Sequence, residues 1–202
     1  MLKIGLTGGI GSGKTTVSNY FMRIGESGKK NAIIDTDVIA REIVEPGKLV
    51  YKEIVQSFGE KILNSDLSIN RPILREIIFN QPHSKQLLES ITHPAIHKEV
   101  MRRLSSLDVP YCIIVIPLLF ETQSQYPLDR ILVVDSEKQV QINRTMLRDN
   151  ASSSEIEAIL NSQVSREYRL AHADDVVSNN GSEEELHLQI EKLHHLYLSA
   201  HQ

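Results

Sequence analysis

The chain has 202 residues, 41% hydrophobic and 24% charged, with a formal net charge of −4. That suits one globular domain, or one domain with an inserted cap. It lacks the basic excess on which a nucleic-acid-gripping protein relies. Cys112 is the single cysteine, which excludes an internal disulfide and fits a reducing compartment.

Residues 2–7 form a short apolar run that predicts a first strand. It leads straight into a glycine-rich loop, residues 8–15, so no signal peptide is expected. A helix is expected over 14–24 and a second strand over 32–35. Residues 46–107 then carry helical spacing, such as Val50-x-x-x-Ile54-Val55-x-x-Phe58 and Ile73-Leu74-x-x-Ile77-Ile78, without a convincing strand. They read as a helical insertion able to cap a substrate. Residues 111–117 and 130–135 predict two further strands. Neither alternates with polar residues, as in strands buried on both faces, and Cys112 reads as a small core residue. A helix is expected over 136–148 with Ser136 as its cap, and the capping-box pattern from Ser152 to Glu155 opens another. A weak fifth strand covers 175–178. Leu186, Ile190, Leu193 and Tyr197 recur at helical spacing near the end of the chain.

Strands alternating with helices predict an α/β fold: a P-loop parallel sheet of about five strands flanked by helices. One domain over 1–202 is expected, with its helical insertion at about 46–107 and a lid region at about 138–170. The longest apolar run, residues 111–120, is about half of what a membrane helix needs, so no membrane partner and a cytoplasmic location are expected.

Gly8-Gly9-Ile10-Gly11-Ser12-Gly13-Lys14-Thr15 fits G-x-x-x-x-G-K-[ST] in full. Glycine lets backbone N–H groups approach and cradle phosphates, and the following helix presents its N-terminus to the anion. Gly9, Gly11, Ser12, Gly13, Lys14, Thr15 and Thr16 are therefore candidates for ATP. Lys14 suits the β- and γ-phosphates, and the Thr15 hydroxyl suits Mg2+. Asp35-Thr36-Asp37 closes the second strand, expected to neighbour the loop, where ligands sit in open α/β sheets. One carboxylate can orient magnesium, the role expected of Asp35. The other can accept the proton of an attacking hydroxyl; alternatively, Asp37 caps a helix starting at Val38. Arg144 and Arg148 share one helical face, and Arg166 and Arg169 follow; such arginines can neutralise phosphoryl charge, or pair on the surface, as Arg148 could with Asp149. His93 and His97 have the spacing of zinc ligands on a helix. However, Pro94 suits a first helical position and places His93 at a helix boundary. His194, His195 and His201 are expected in solvent.

Together these words resemble the dephospho-coenzyme A kinase family over nearly the whole chain. They are Leu6 to Thr15, Ile34 to Arg41, Val44-Glu45-Pro46-Gly47, Arg71 with Leu74, His93-Pro94, Pro117 to Glu121, Val133-Val134-Asp135, Arg144-x-x-x-Arg148-Asp149, and Ala173 to Gly181. Thr36 departs from the alanine usual between the two aspartates. The resemblance implies transfer of the ATP γ-phosphate to the ribose 3′-hydroxyl of dephospho-coenzyme A, the last step of coenzyme A synthesis. It implies Asp37 as catalytic carboxylate, Arg144 as charge-stabilising lid residue, and Asn179-Asn180-Gly181 near adenine. Arg41, Pro46, Gly47, Arg71, His93 and Glu121 would line the acceptor side. Another small-molecule or nucleoside monophosphate kinase on the same scaffold is the alternative. A GTPase switch lacks its Asn-Lys-x-Asp word here. A non-catalytic nucleotide binder has no need of Asp37. Oligomeric state is not legible.

Overall fold

The computed structural model describes residues 1–25, 31–122 and 126–200. The chain divides into two compact units, Met1–Asp35 with Leu107–Gln202, and Thr36–Ser106.

The first unit is built on a parallel sheet of order β2-β3-β1-β4-β5. Its strands are β1 (Leu2–Thr7), β2 (Ala32–Asp35), β3 (Tyr111–Val115), β4 (Arg130–Asp135) and β5 (Asp175–Ser178). β2 pairs with β3, which lies between it and β1. From central β1 the sheet extends to β3 and β2 on one side and to β4 and β5 on the other. That arrangement opens a crevice at the carboxyl end of β1, where the glycine-rich loop begins. All five residues of β3 are buried, including Cys112, whose thiol burial pushes up to about 12. The strand stops two residues short of the expected end. Pro117 has no N–H for the ladder, although Ile116 still donates to Leu6 O at 2.9 Å.

Helices α1 (Lys14–Arg23), α6 (Lys138–Asp149), α7 (Ser153–Ser162), α8 (Arg166–Ala171) and α9 (Glu183–Ser199) belong to this unit. Val17 and Phe21 of α1 and Leu186, Ile190 and Tyr197 of α9 join the strands in one apolar core. Ser152 and Ser182 each complete a capping box, with Glu155 and Glu185. His194 is corrected from solvent to core. It is 4% exposed, with Nδ1 2.6 Å from the Tyr111 hydroxyl, because its position on α9 faces β3. His201 lies outside the described residues.

The second unit holds α2 (Thr36–Glu42), α3 (Leu49–Phe58), a 3-10 turn (Glu60–Ile62), α4 (Arg71–Asn80) and α5 (Pro82–Ser105). Its core gathers Ile54, Phe58, Ile62 and Leu74, with Leu88 and Ile91 packed against them. One isolated antiparallel bridge, Leu63 to Ile69, is the strand-like pairing among its described residues. Pro94 does not start a helix: it lies inside 24-residue α5, so His93 is mid-helix. Packing of Leu88 and Ile91 before it, and the pairing of Glu99 with Arg102 and Arg103 after it, carry the helix across the one lost backbone hydrogen bond.

Candidate active site

The loop turns on glycines that adopt positive φ, 71° at Gly11 and 95° at Gly13. Gly13 is also the N-cap of α1, and a Cβ there would lie 2.1 Å from Asn179 Nδ2. Any other residue would therefore meet both strain and a clash. Lys14 Nζ donates to Gly8 O at 2.8 Å and Gly9 O at 3.0 Å, which folds the ammonium back over the loop. Ser12 is fully buried, whereas Thr15 and Thr16 are exposed in the first turn of α1. That turn carries no acidic residue, so the positive end of the helix is left for an anion.

Behind the loop, Asn179 Nδ2 donates to Ser12 O at 2.8 Å, and the Ser136 hydroxyl donates to Ser12 O and Asn179 O. Ser136 is thus no helix cap: α6 starts at Lys138 with Glu137 as N-cap, and Ser136 is drawn inward by these two carbonyls. Arg144 Nη1 donates to Asn179 O at 2.9 Å. Gly13, Thr16, Arg144, Asn179, Gly181 and Leu186 line a pocket of about 260 Å³. Asn180, expected at the nucleotide, accepts the Glu137 N–H through Oδ1 at 2.8 Å and so steadies the start of α6. Arg148 forms the surface pair with Asp149, at 2.7 Å.

The region around α7 and α8 holds contacts that sequence spacing did not suggest. Arg166 makes two bonds to Asp135, at 2.7 and 2.6 Å. Arg169 is 7% exposed and donates to Val164 O at 2.6 Å; burial lowers its pKa, partly offset by Glu121 and other nearby carboxylates. Glu121 accepts the Val164 N–H at 3.1 Å, and Gln163 Oε1 accepts the Ile10 N–H at 3.1 Å. A glutamine at a helix end belongs to no motif and no hydrophobic period, so it left no signal.

Asp35 ends β2, half-buried, on the edge of the sheet where β1 enters the loop. Asp37 follows in the helical unit, exposed in the first turn of α2, which already begins at Thr36. Arg41 is exposed in the last turn of the same helix. Pro46 and Gly47 lie exposed in the turn after α2, where Gly47 has φ 90°. Arg71 opens α4 and lines a cavity of about 400 Å³ with Pro72, Arg75, Glu76 and Phe79. His93 is exposed on α5.

The family model described as dephospho-CoA kinase (CoaE) matches residues 2–185. The chain belongs to the dephospho-CoA kinase family. It is 46% identical over 203 residues to a dephospho-CoA kinase of Coxiella burnetii, covering 100% of each chain. Among solved structures, the dephospho-CoA kinase from Campylobacter jejuni aligns with a TM-score of 0.71 at 28% identity, over 99% of this chain and 98% of that one. The protein TT1252 from Thermus thermophilus aligns with a TM-score of 0.81 at 28% identity, over 98% and 97%. No helix among the described residues is long and apolar enough to cross a membrane. Among the described residues no group of three or more His, Cys, Asp or Glu could hold a metal ion. The candidate metal donors of this dephospho-CoA kinase family member are the Thr15 hydroxyl and the Asp35 carboxylate. Both are hard oxygens, too few for an all-protein cage, and they suit a cation that arrives with phosphate oxygens and water.

Proposed function

We propose that the chain transfers the γ-phosphate of ATP to the ribose 3′-hydroxyl of dephospho-coenzyme A, giving coenzyme A and ADP. The observation that carries this reading is the Lys14 ammonium, folded over the glycine-rich loop at the N-terminus of α1, in a chain whose family match runs over residues 2–185. In the reaction the bond from the γ-phosphorus to the β,γ-bridging oxygen breaks, and ADP leaves with that oxygen. The acceptor oxygen forms the new bond, and its proton passes to the Asp37 carboxylate.

The loop amides and Lys14 stabilise the charge that moves onto the leaving phosphate. The Gly13–Thr16–Arg144–Gly181 pocket is the natural seat for the base and ribose of ATP. Arg148, once released from Asp149, is available to the phosphates. Magnesium, held by Thr15 and through Asp35, would supply charge neutralisation between the phosphates. In the helical unit Arg41, Pro46, Gly47, Arg71 and His93 would receive the acceptor. Glu121 serves the acceptor side only insofar as its carboxylate is shared with Val164. The reaction is a small-molecule one, needs no nucleic acid, and is placed in the cytoplasm.

The test pairs an ADP-release assay over a panel of hydroxyl acceptors with the Asp37→Asn variant. Dephospho-coenzyme A should be the preferred acceptor by at least about tenfold in kcat/KM over adenosine monophosphate and other nucleotides. Asp37→Asn should bind ATP with magnesium nearly normally and transfer phosphate at least ~10²-fold more slowly, because asparagine keeps the size but not the basicity. Preference for a nucleoside monophosphate would favour the alternative kinase. Normal transfer by Asp37→Asn would reduce that residue to part of the first turn of α2.

A further inference from the structure

The link between α7 and α8 is fastened to the phosphate loop by a side chain with no role in the proposed chemistry. α7 ends at Ser162, and Gln163, its C-cap, has extended backbone angles (φ −87°, ψ 159°). From there the carboxamide oxygen reaches 153 positions back along the chain and accepts the Ile10 N–H at 3.1 Å. The next residue is gripped from both sides. Val164 N–H donates to Glu121 Oε1 at 3.1 Å, and Val164 O accepts from Arg169 Nη1 at 2.6 Å. Burying the Arg169 guanidinium is costly, and its fixed position is used to hold this carbonyl. The Gln163 side chain is therefore delivered to the loop from a braced backbone.

The loop side is equally constrained. A Cβ on Gly9 would come within 2.5 Å of Gln141 Oε1 and 3.1 Å of Arg169 Nη2, so Gly9 rests directly on these two side chains. The Ser12 N–H turns inward onto Gly9 O at 3.2 Å, and Lys14 holds the carbonyls of Gly8 and Gly9. Gln163 fixes the next N–H, that of Ile10. A loop this rich in glycine has many backbone conformations, and only one presents its phosphate-facing amides together. Any contact that selects that conformation beforehand raises the binding-competent fraction and so the apparent affinity.

We infer that Gln163 is a positioning residue for the nucleotide. By accepting the Ile10 N–H it sets the orientation of the Gly9–Ile10 peptide and ties the α7–α8 connection to the phosphate loop. This rests on the proposed reading of the loop as the ATP site. Neither the loop word nor the family words quoted for this sequence include Gln163.

The experiment measures ATP affinity by calorimetry, well below the melting temperature, on four proteins: the wild type, Gln163→Met, Ile10→Pro and the double variant. Methionine keeps the length and volume of glutamine without its carbonyl oxygen. Proline removes the N–H at position 10, where φ is negative in the structure. Gln163→Met should weaken ATP about fivefold, the worth of one ordinary hydrogen bond, with the KM for dephospho-coenzyme A unchanged. In the Ile10→Pro background the same substitution should change ATP affinity less than about twofold, because the donor has gone. ATP binding by Gln163→Met at wild-type strength would overturn the inference. So would an equal loss in both backgrounds, which would make Gln163 a packing residue. A wild-type chain that bound no ATP would overturn both the inference and the proposed function, a result distinct from mutant and wild type binding ATP alike.

Discussion

The cations around the phosphate loop and those of α5 in the helical unit are held in different ways. In the sheet unit Lys14, Arg144 and Arg169 all donate to main-chain carbonyls, those of Gly8 and Gly9, Asn179 and Val164. In the helical unit Arg102 and Arg103 donate to the Glu99 carboxylate, and Arg103 also pairs with Glu42. A carbonyl orients a cation without neutralising it, whereas a carboxylate cancels most of its field. The first arrangement fixes where these side chains sit around the loop and its pocket. The second ties helices together. Elsewhere in the sheet unit Arg130 pairs with Asp175, Arg148 with Asp149 and Arg166 with Asp135, the last bracing α8.

Lys14→Ala tests the first half of the comparison and should have the largest effect. The ammonium lies over the loop, half-buried, and its stem contributes nothing to the apolar core of the sheet unit. The fold should survive, with a melting temperature near that of the wild type. Turnover at saturating ATP should fall by at least ~10²-fold, the usual cost of losing one preorganised charge at a developing anion. Near-normal turnover would mean that carbonyl-held cations in this unit are structural.

Arg144→Ala sharpens the comparison, because the residue touches both the Asn179 carbonyl and the pocket shared with Thr16 and Gly181. Its position in the pocket wall predicts a rise of about tenfold in the KM for ATP and a smaller drop in kcat, as expected when a charged hydrogen-bonding wall is lost. The contrary split, a large fall in kcat at nearly constant KM, would assign Arg144 to the transferring phosphoryl group, the role implied by the family resemblance. Steady-state kinetics with ATP as the varied substrate decides between them.

Much of this is legible in the sequence. Several of the strands lack polar alternation because both faces of the sheet are covered there, β3 most completely. Four of the five match the observed bounds, and the fifth differs only where Pro117 ends the ladder. The loop was legible because glycine, lysine and threonine at fixed spacing have few other uses. Errors arose where a local signal met a tertiary contact. Pro94 signals a helix start, yet packing on both sides carries α5 through it. His194 lies among polar residues, yet Tyr111 of β3 draws it into the core. Ser136 has the chemistry of a cap, yet two carbonyls across the site claim its hydroxyl. Gln163 and Gln141 were silent for a related reason: a glutamine that bonds to main chain from far along the sequence leaves no pattern in its own neighbourhood.

The smallest expected effect lies in the helical unit, where charge should matter for stability and not for turnover. Glu99 accepts from Arg102 and Arg103, and these hydrogen bonds hold its carboxyl down at about 2, from the ordinary value of 4.5. Because the folded-state value is the lower one, its stabilisation is present above about pH 4.5. It is lost as pH falls from there through about 2. The partners are partly solvated, with side-chain exposures of 23% for Glu99, 31% for Arg103 and 66% for Arg102, so water screens the pair heavily. Glu99→Gln should therefore cost less than about 1 kcal/mol at pH 7, no more than about 4 °C in melting temperature. The wild-type and variant melting curves should converge as pH approaches 2, and kcat at pH 7 should be unchanged. A variant that melted like the wild type at every pH would show that the Glu99 pairs are surface ornaments of α5. A variant that lost turnover while keeping its melting temperature would break the comparison itself, since a cation paired with a carboxylate in the helical unit would then be serving the reaction.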